Sequence, residues 1–165
     1  MSNIDKKLLS ETDYIPMAKV RDVKTPERGS DFSAGLDFFI PNDVEWELFK
    51  LLPGDDILIK SGIQVNMMVP HLKNYALIAN DKSGIALNNK LKVAAKIIDA
   101  DYQGEIGLHV YNYSNQEVVI KRGQKLVQFL CQEVKYVEPL ILPIDILYDK
   151  ETARGNGGFG STGIK

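Results

Sequence analysis

Turn-forming residues interrupt the apolar stretches of this chain so often that long regular elements cannot form. Runs of β-branched, aromatic or alternating apolar residues are short and lie between Gly, Pro, Asn, Asp and Ser, a pattern that favours strands joined by turns. Residues 44–52, which place Trp46, Phe49 and Leu52 on one side before Pro53, favour one or two helical turns instead. The predicted strands are 15–23, 36–40, 57–65, 75–79, 92–98, 105–113, 118–120 and 125–137. The chain is therefore expected to be all-β, a sandwich or barrel.

Length and charge exclude several function classes. The 165 residues fit one domain, and the net charge of −2 comes without a basic block, so long nucleic acid is not an expected partner. No apolar run approaches the length of a membrane span. Cys131, the single cysteine, lies in an apolar run and is expected to be a buried thiol in a reducing compartment. His71 and His109 are too far apart, and too poor in partners, to predict a zinc site, and His109 fits a strand position.

The chain is predicted to divide into three parts. Residues 1–12 are polar and are expected to be frayed, residues 13–138 form the β domain, and residues 139–165 form a C-terminal arm, extended over 139–150. Glycine is concentrated at the end of this arm, where residues 154–163 read Arg-Gly-Asn-Gly-Gly-Phe-Gly-Ser-Thr-Gly. Free backbone N–H groups, two hydroxyls and an arginine suit a polyphosphate, and the phenylalanine can stack on a flat ring. A flap over a nucleotide and a disordered tail both fit this composition.

Four other short segments carry polar groups in positions that suit chemistry: 33–37, 82–84, 97–106 and 123–128. Asp99 follows an apolar strand and is two residues from Asp101, and neighbouring carboxylates can hold a water molecule. Gln128 places an amide inside an apolar strand, where it needs a partner, usually neighbouring backbone. Asp37 follows a small-residue turn, and residues 82–84 combine a cation, a hydroxyl and glycine. Each segment alone also fits an ordinary turn or surface loop.

Together, the order and spacing of five segments resemble one family, the trimeric deoxyuridine triphosphatases (dUTPases), over about residues 15–163. The matching segments are 34–38, 82–86, 98–105, 123–128 and 154–163. The resemblance implies a jelly-roll protomer, a homotrimer with active sites shared between subunits, and hydrolysis of dUTP to dUMP and pyrophosphate. Such a reaction lowers dUTP and supplies dUMP for thymidylate synthesis. It also implies a cytoplasmic location, or the host cytoplasm if the source is a virus.

The resemblance assigns the nucleoside end of the substrate to the third and fifth segments. Asp99 is expected to orient and deprotonate the attacking water at the α-phosphate. Tyr102 is expected to pack on the deoxyribose and exclude a 2′-hydroxyl, while the backbone around Ile98 reads the uracil edge. Phe159 is expected to stack on the uracil.

The phosphate end is assigned to residues of the first, second, fourth and fifth segments. The residues implied to bind the phosphates are Lys82, Ser83, Gly84, Gln128, Arg154, Ser161 and Thr162. Asp37 is implied to brace this site, and Gly160 is implied to bind the substrate within the flap. Magnesium is the implied cofactor, held mainly by the substrate phosphates and, through water, by Asp37 and Gln128. No cluster of residues suggests a dedicated metal cage, which suits a metal that arrives with its nucleotide.

The chain departs from the family pattern at several places, including Lys96, where glycine is usual, and Val93 and Ala94, near which a polar residue is usual. The second segment usually begins with arginine, whereas this chain has Lys82, which keeps the charge without the bidentate fork. Residues 41–56 also exceed the length usual in compact bacterial members and are interpreted as a surface insertion.

Two alternatives share the fold. The first is dCTP deaminase, in which a catalytic glutamate follows the third segment in a Thr-Leu-Glu pattern. The corresponding residues here are Gly107, Leu108 and His109, so the glutamate that this alternative requires is absent from the third place. The second is a nucleotide-sensing regulator without catalysis, which would need neither Asp99 nor the glycine-rich flap.

Overall fold

The computed structural model describes residues 14–157, in which the chain forms two compact units, 14–135 and 136–157. The first unit contains twelve short strands, and every strand pairing described is antiparallel. The strands are β1 (Met17–Lys19), β2 (Glu27–Arg28), β3 (Leu36–Phe39), β4 (Leu48–Leu51), β5 (Asp56–Lys60), β6 (Ile63–Val65), β7 (Tyr75–Asp81), β8 (Leu91–Val93), β9 (Ile97–Ile98), β10 (Gly107–Asn112), β11 (Val118–Lys121) and β12 (Lys125–Glu133). A π-helical turn, Ile85–Asn89, follows β7.

The strands form four sheets around one apolar core, in the jelly-roll arrangement that the family resemblance implies. The largest sheet has the order β2-β3-β12-β7-β9, and the others are β5-β10-β8, β1-β6 and β4-β11. Alternation along the strands sends one side chain in two inward, as in β10, where Leu108 and Val110 are buried and His109 between them is half-buried. Phe38 and Phe129 meet in the core with ring centroids 4.6 Å apart. The all-β prediction is confirmed.

The helical turns predicted over residues 44–52 are wrong, because this stretch contains β4, which pairs with β11. Along β4, Lys50 is exposed and Leu51 is fully buried, so the alternation has the period of a strand. The backbone hydrogen bonds come from β11, some 70 residues later in the chain, and local sequence does not reveal that partner. The same burial of Leu51 means that residues 41–56 are not merely a surface insertion.

The prediction of a buried thiol is also wrong, since Cys131 is exposed. Val127 and Phe129 are fully buried, but Cys131, next on the same face of β12, lies beyond the edge of the core. It lines an open cavity of about 870 Å³ together with Arg28 and His71. Partial removal from water raises the pKa of the Cys131 thiol, which keeps it protonated and poorly nucleophilic.

The second unit is not extended throughout as predicted, because Ile144–Leu147 form one helical turn, α1. Large apolar side chains of the second unit are exposed, including those of Ile141 (89% exposed) and Leu140 (78% exposed), which precede α1. No helix within residues 14–157 is long and apolar enough to cross a membrane. The predicted frayed segment, 1–12, lies outside the described residues.

Candidate active site

Three neighbouring strands bring the first, second and fourth segments together. In the register of the largest sheet, Gln128 of β12 lies opposite Asp37 of β3 on one side and opposite Asn80 of β7 on the other. Lys82 follows directly after the end of β7. Residues that are far apart in the sequence therefore form one row across the sheet, because antiparallel pairing fixes which residues face each other.

Asp37 is the centre of a group of charges, called the Asp37 cluster below, that also contains Lys82, Lys125, Glu27 and Lys24. The Asp37 side chain is only 4% exposed, and a buried carboxylate is unfavourable unless it is paired and hydrogen-bonded. Lys82 Nζ donates to both carboxylate oxygens at 3.0 Å. Lys125 Nζ lies 3.0 Å from Oδ2, so two ammonium groups compensate one buried charge.

Lys125 is itself held on a second side. Its Nζ lies 3.2 Å from Glu27 Oε1, which also accepts a hydrogen bond from Lys24 Nζ at 2.8 Å. Hydrogen bonds to Asp37 and then to Glu27 raise the pKa of Lys125, and those from Lys24 and Lys125 lower the pKa of Glu27. Both ammonium groups also approach the ring of Phe39. Lys24, Glu27 and Lys125 are members of this site that the sequence interpretation missed, although Lys125 is the one cation inside the fourth segment.

A β-bulge explains why Lys125 reaches Asp37. Strict alternation along β12 would put Lys125 on the side of Val127, which faces the core, and Gln128 on the other. The register shifts between Lys125 and Val127, so that Lys125 lies opposite Phe39 while Val127 lies opposite Phe38. The extra residue turns Lys125 toward the face that carries Asp37 and Gln128.

Gln128 has the backbone partner that the sequence predicted, since its Nε2 donates to the carbonyl of Asp81 at 2.8 Å. Gly35 leaves the room for this amide. A Cβ at position 35 would lie 2.7 Å from Gln128 Oε1 and 3.2 Å from Gln128 Cβ. The small residue before β3 is therefore a packing requirement of the Gln128 side chain.

Ser83 and Gly84 begin the helical turn that follows β7, and both are exposed. The backbone of this turn is closed by a hydrogen bond from Ala86 N to Lys82 O of 2.8 Å. A Cβ at Gly84 would meet no atom within 4 Å. The surface beside Gly84 is open, and a ligand can approach the backbone closely there.

The third segment forms a different kind of structure, a turn over residues 99–105 that exposes residues 99 and 101–103 and that we call the Asp99 turn. Tyr102 N donates to Asp99 O at 3.1 Å, and the Tyr102 hydroxyl donates to Glu105 O at 3.1 Å. Asp99 is exposed, Tyr102 is 39% exposed, and Ile98 before them is half-buried in β9. The Tyr102 ring lies so close to Gly104 that a Cβ there would clash with its hydroxyl and ring carbons.

Glu105 attaches the Asp99 turn to the body of the fold. Its Oε1 accepts a hydrogen bond from Gly62 N at 2.5 Å and lies 3.9 Å from an Arg21 nitrogen. Gly62 has φ +76, a backbone conformation that favours glycine. Beside the turn, Tyr102 and Ala100 line a cavity of about 470 Å³, a size within the range of small-molecule sites.

Within the first unit, the Asp37 cluster and the Asp99 turn are well separated. Ile98 lies opposite Leu77 of β7, and the chain then runs away from the end of β7 that Lys82 follows. If the register is continued by one residue, Asp99 lies opposite Ala76, which is six residues before Lys82. Six residues of a β-strand span roughly 20 Å. One copy of the chain brings the first, second and fourth segments together and leaves the third apart from them.

Of the fifth segment, the structure describes residues 154–157, in the second unit. Arg154 Nε donates to Gly157 O at 2.9 Å, and Gly155 has φ +46. The other predicted flap residues, Phe159, Gly160, Ser161 and Thr162, lie outside the described residues. Residues 14–157 contain no group of three or more His, Cys, Asp or Glu side chains placed to hold a metal ion.

The sequence of this chain matches a family model and individual relatives. The family model for dUTPase matches residues 21–163. The mouse (Mus musculus) deoxyuridine 5′-triphosphate nucleotidohydrolase is 34% identical over 138 residues, which cover 84% of this chain and 77% of the mouse protein.

Solved structures share the fold. The Staphylococcus bacteriophage 80alpha dUTPase, in a structure with dUpNHpp, has a TM-score of 0.76 at 20% identity, covering 93% of this chain and 100% of the phage chain. A mutant dUTPase from phage phi11 of S. aureus has a TM-score of 0.68 at 19% identity, covering 84% of this chain and 100% of the other, and its structure concerns the coordination of a structural Mg(II) ion.

Proposed function

Because this chain belongs to the dUTPase family, we propose that it hydrolyses dUTP to dUMP and pyrophosphate by attack of water at the α-phosphate. The observation that carries the proposal is the extent of the family match, since residues 21–163 include all five segments. We propose on the same ground that the reaction lowers the dUTP level and that its product, dUMP, supplies thymidylate synthesis. The cytoplasm is the proposed location.

The proposed phosphate side of the site lies beside the Asp37 cluster. Lys82 carries a charge beside the open backbone of Ser83 and Gly84, and such groups suit the oxygens of a triphosphate. Gln128 lies in the same row, where an amide can bind a phosphate oxygen or an ordered water. Positive charge next to the pyrophosphate leaving group stabilises the charge that develops on it during hydrolysis.

The Asp99 turn is the proposed nucleoside and water side of the site. We assign to Asp99 the general base, which accepts a proton from the attacking water and holds it in line with the α-phosphorus. Tyr102 lies against Gly104 with its hydroxyl bound to backbone, so its ring is fixed where it can pack on the deoxyribose and exclude a 2′-hydroxyl. The polar backbone around Ile98 is assigned to the uracil edge.

A homotrimer with shared sites is proposed as the working assembly. Two observations support it: the separation of roughly 20 Å between Lys82 and the position opposite Asp99, and the exposed apolar side chains of the arm, such as Leu140 and Ile141. Exposed apolar segments of this kind favour association with another copy. The glycine-rich flap, with Arg154, Phe159, Gly160, Ser161 and Thr162, is proposed to close over a site formed by other subunits.

Magnesium is the proposed cofactor. Both oxygens of Asp37 are bound by lysine ammonium groups, so this carboxylate suits contact with the metal through water better than direct ligation. The donor set therefore fits an ion that is held mainly by the substrate phosphates, with Asp37 and Gln128 reaching its waters. When bound, Mg²⁺ would neutralise phosphate charge and orient the triphosphate.

Nucleotide profiling tests the proposed function. With Mg²⁺, pyrophosphate should be released rapidly from dUTP, while dCTP, dTTP and UTP should be nearly inert. Comparable turnover of UTP would contradict the role of Tyr102. Ammonia release from dCTP would support a deaminase instead, and binding of dUTP without any product would support a nucleotide-sensing regulator.

A further inference from the structure

We propose that Lys125 is a positioning residue: it stays on Asp37 as a permanent counter-ion and so leaves Lys82 free to transfer to the triphosphate. The inference rests on the proposed function in one respect, that Lys82 binds phosphate. It assigns a role to a residue outside the phosphate-binding set given above.

The starting point is the burial of Asp37, whose side chain is 4% exposed. Lys82 Nζ donates to both of its oxygens at 3.0 Å. If Lys82 were the sole partner, moving its ammonium group to a phosphate would leave a buried carboxylate uncompensated, which is strongly unfavourable. Asp37 would then compete with the substrate for Lys82, and phosphate binding would be weak.

Lys125 removes that competition because it is held independently of the substrate. Its Nζ lies 3.0 Å from Asp37 Oδ2 and 3.2 Å from Glu27 Oε1, and its charge approaches the Phe39 ring, 5.6 Å from the ring centroid. The β-bulge between Lys125 and Val127 aims the side chain into this position. Lys82, by contrast, is paired with one carboxylate, Asp37, within residues 14–157. Of the two ammonium groups, Lys82 is therefore the one that can leave.

The charges of the cluster agree with this division. Lys24, Lys82 and Lys125 face Glu27 and Asp37, so three positive charges meet two negative ones. Lys24 and Lys125 can satisfy Glu27 and Asp37, and the remaining positive charge is that of Lys82. That surplus is the charge available to an anionic ligand.

Calorimetric titration of the full-length protein with inorganic tripolyphosphate, in EDTA, tests the proposal without catalysis or metal. Lys125→Met should weaken binding about tenfold, whereas Lys125→Arg, which keeps the charge, should bind within about twofold of the wild type. Lys50→Met is the control, because Lys50 is a lysine that pairs with a glutamate, Glu117, outside the Asp37 cluster. It should change the affinity less than about twofold.

A double variant separates positioning from direct contact. In Asp37→Asn the competing charge is gone, so adding Lys125→Met should change tripolyphosphate binding little. An equal loss from Lys125→Met in both backgrounds would mean that Lys125 touches the phosphate itself and would overturn the proposal, as would wild-type affinity in Lys125→Met alone. Should Lys125→Met not fold, Asp37→Asn/Lys125→Met, which leaves no buried charge unpaired, is compared with Asp37→Asn.

Failure of this inference is distinguishable from failure of the proposed function. Suppose that Lys125→Met binds tripolyphosphate more weakly than the wild type, as expected, but that the wild type releases no pyrophosphate from dUTP. This result would refute the proposed function and support the role of Lys125. Normal dUTP hydrolysis by the wild type, together with unchanged tripolyphosphate binding by Lys125→Met, would refute the role of Lys125 and support the proposed function.

Discussion

The Asp37 cluster and the Asp99 turn solve opposite physical problems. The cluster surrounds a carboxylate on β3 that is almost entirely buried, so this charge needs partners within the same chain. The Asp99 turn leaves its carboxylate exposed and fixes only the backbone and the Tyr102 ring. A phosphate site must be charged before the substrate arrives, whereas a general base must remain accessible until the site closes around it. The difference predicts that changes to the two regions affect different measurable properties.

Removal of the Asp99 carboxylate should have the largest effect. Asp99→Asn cannot accept the proton of the attacking water, and turnover of dUTP should fall by about 1,000-fold or more. Binding of dUpNHpp, measured by calorimetry, should stay close to that of the wild type because the Asp37 cluster is intact. Asp101→Asn is the matched control, since it changes another exposed carboxylate of the same turn. An active Asp99→Asn enzyme would contradict the assignment.

Truncation after Thr152 should come next. Loss of Arg154 and of the flap residues through Thr162 removes the proposed lid, and pyrophosphate release should fall by about 100-fold. The oligomeric state, measured by light scattering, should not change, because the apolar part of the arm before Thr152 is retained. Unchanged catalysis would mean that the flap interpretation is wrong.

Gly104→Ala tests the nucleoside side alone. A Cβ at this position clashes with the Tyr102 ring and hydroxyl, so the ring must move. The preference for dUTP over UTP, measured as the ratio of kcat/KM values, should fall by about tenfold, while tripolyphosphate binding should not change. A variant that keeps its full preference for dUTP would remove Tyr102 from the discrimination of the 2′ position.

Gly35→Ala tests the phosphate side alone and should have the smallest effect. The added Cβ would lie 2.7 Å from Gln128 Oε1, and the amide must shift. Tripolyphosphate binding should weaken by up to about tenfold, the equivalent of one ordinary hydrogen bond. The preference for dUTP over UTP should be unchanged, in contrast to Gly104→Ala. Loss of that preference in Gly35→Ala would show that the two regions are not separable.

Much of the fold could be predicted from the sequence because alternation and turn residues are local signals. Leu108 and Val110 have strand periodicity in the sequence and are buried as expected. The prediction of helix for the stretch containing Leu51 is wrong, because apolar spacing over a few residues fits both the helical and the strand period. The partner strand, β11, is distant in the chain. The prediction of a buried Cys131 is wrong because an apolar run in the sequence does not show where the core ends.

By itself, the sequence determined the family, the all-β class and the identity of the groups proposed for catalysis, since those depend on residue types and their order. Only the tertiary structure decided which charges meet. Lys24, Glu27 and Lys125 join Asp37 because a β-bulge resets the alternation of β12, and a bulge is set by the pairing of two strands rather than by either strand alone. The distance between Asp99 and Lys82 was likewise decided by strand register, a property of the assembled sheet.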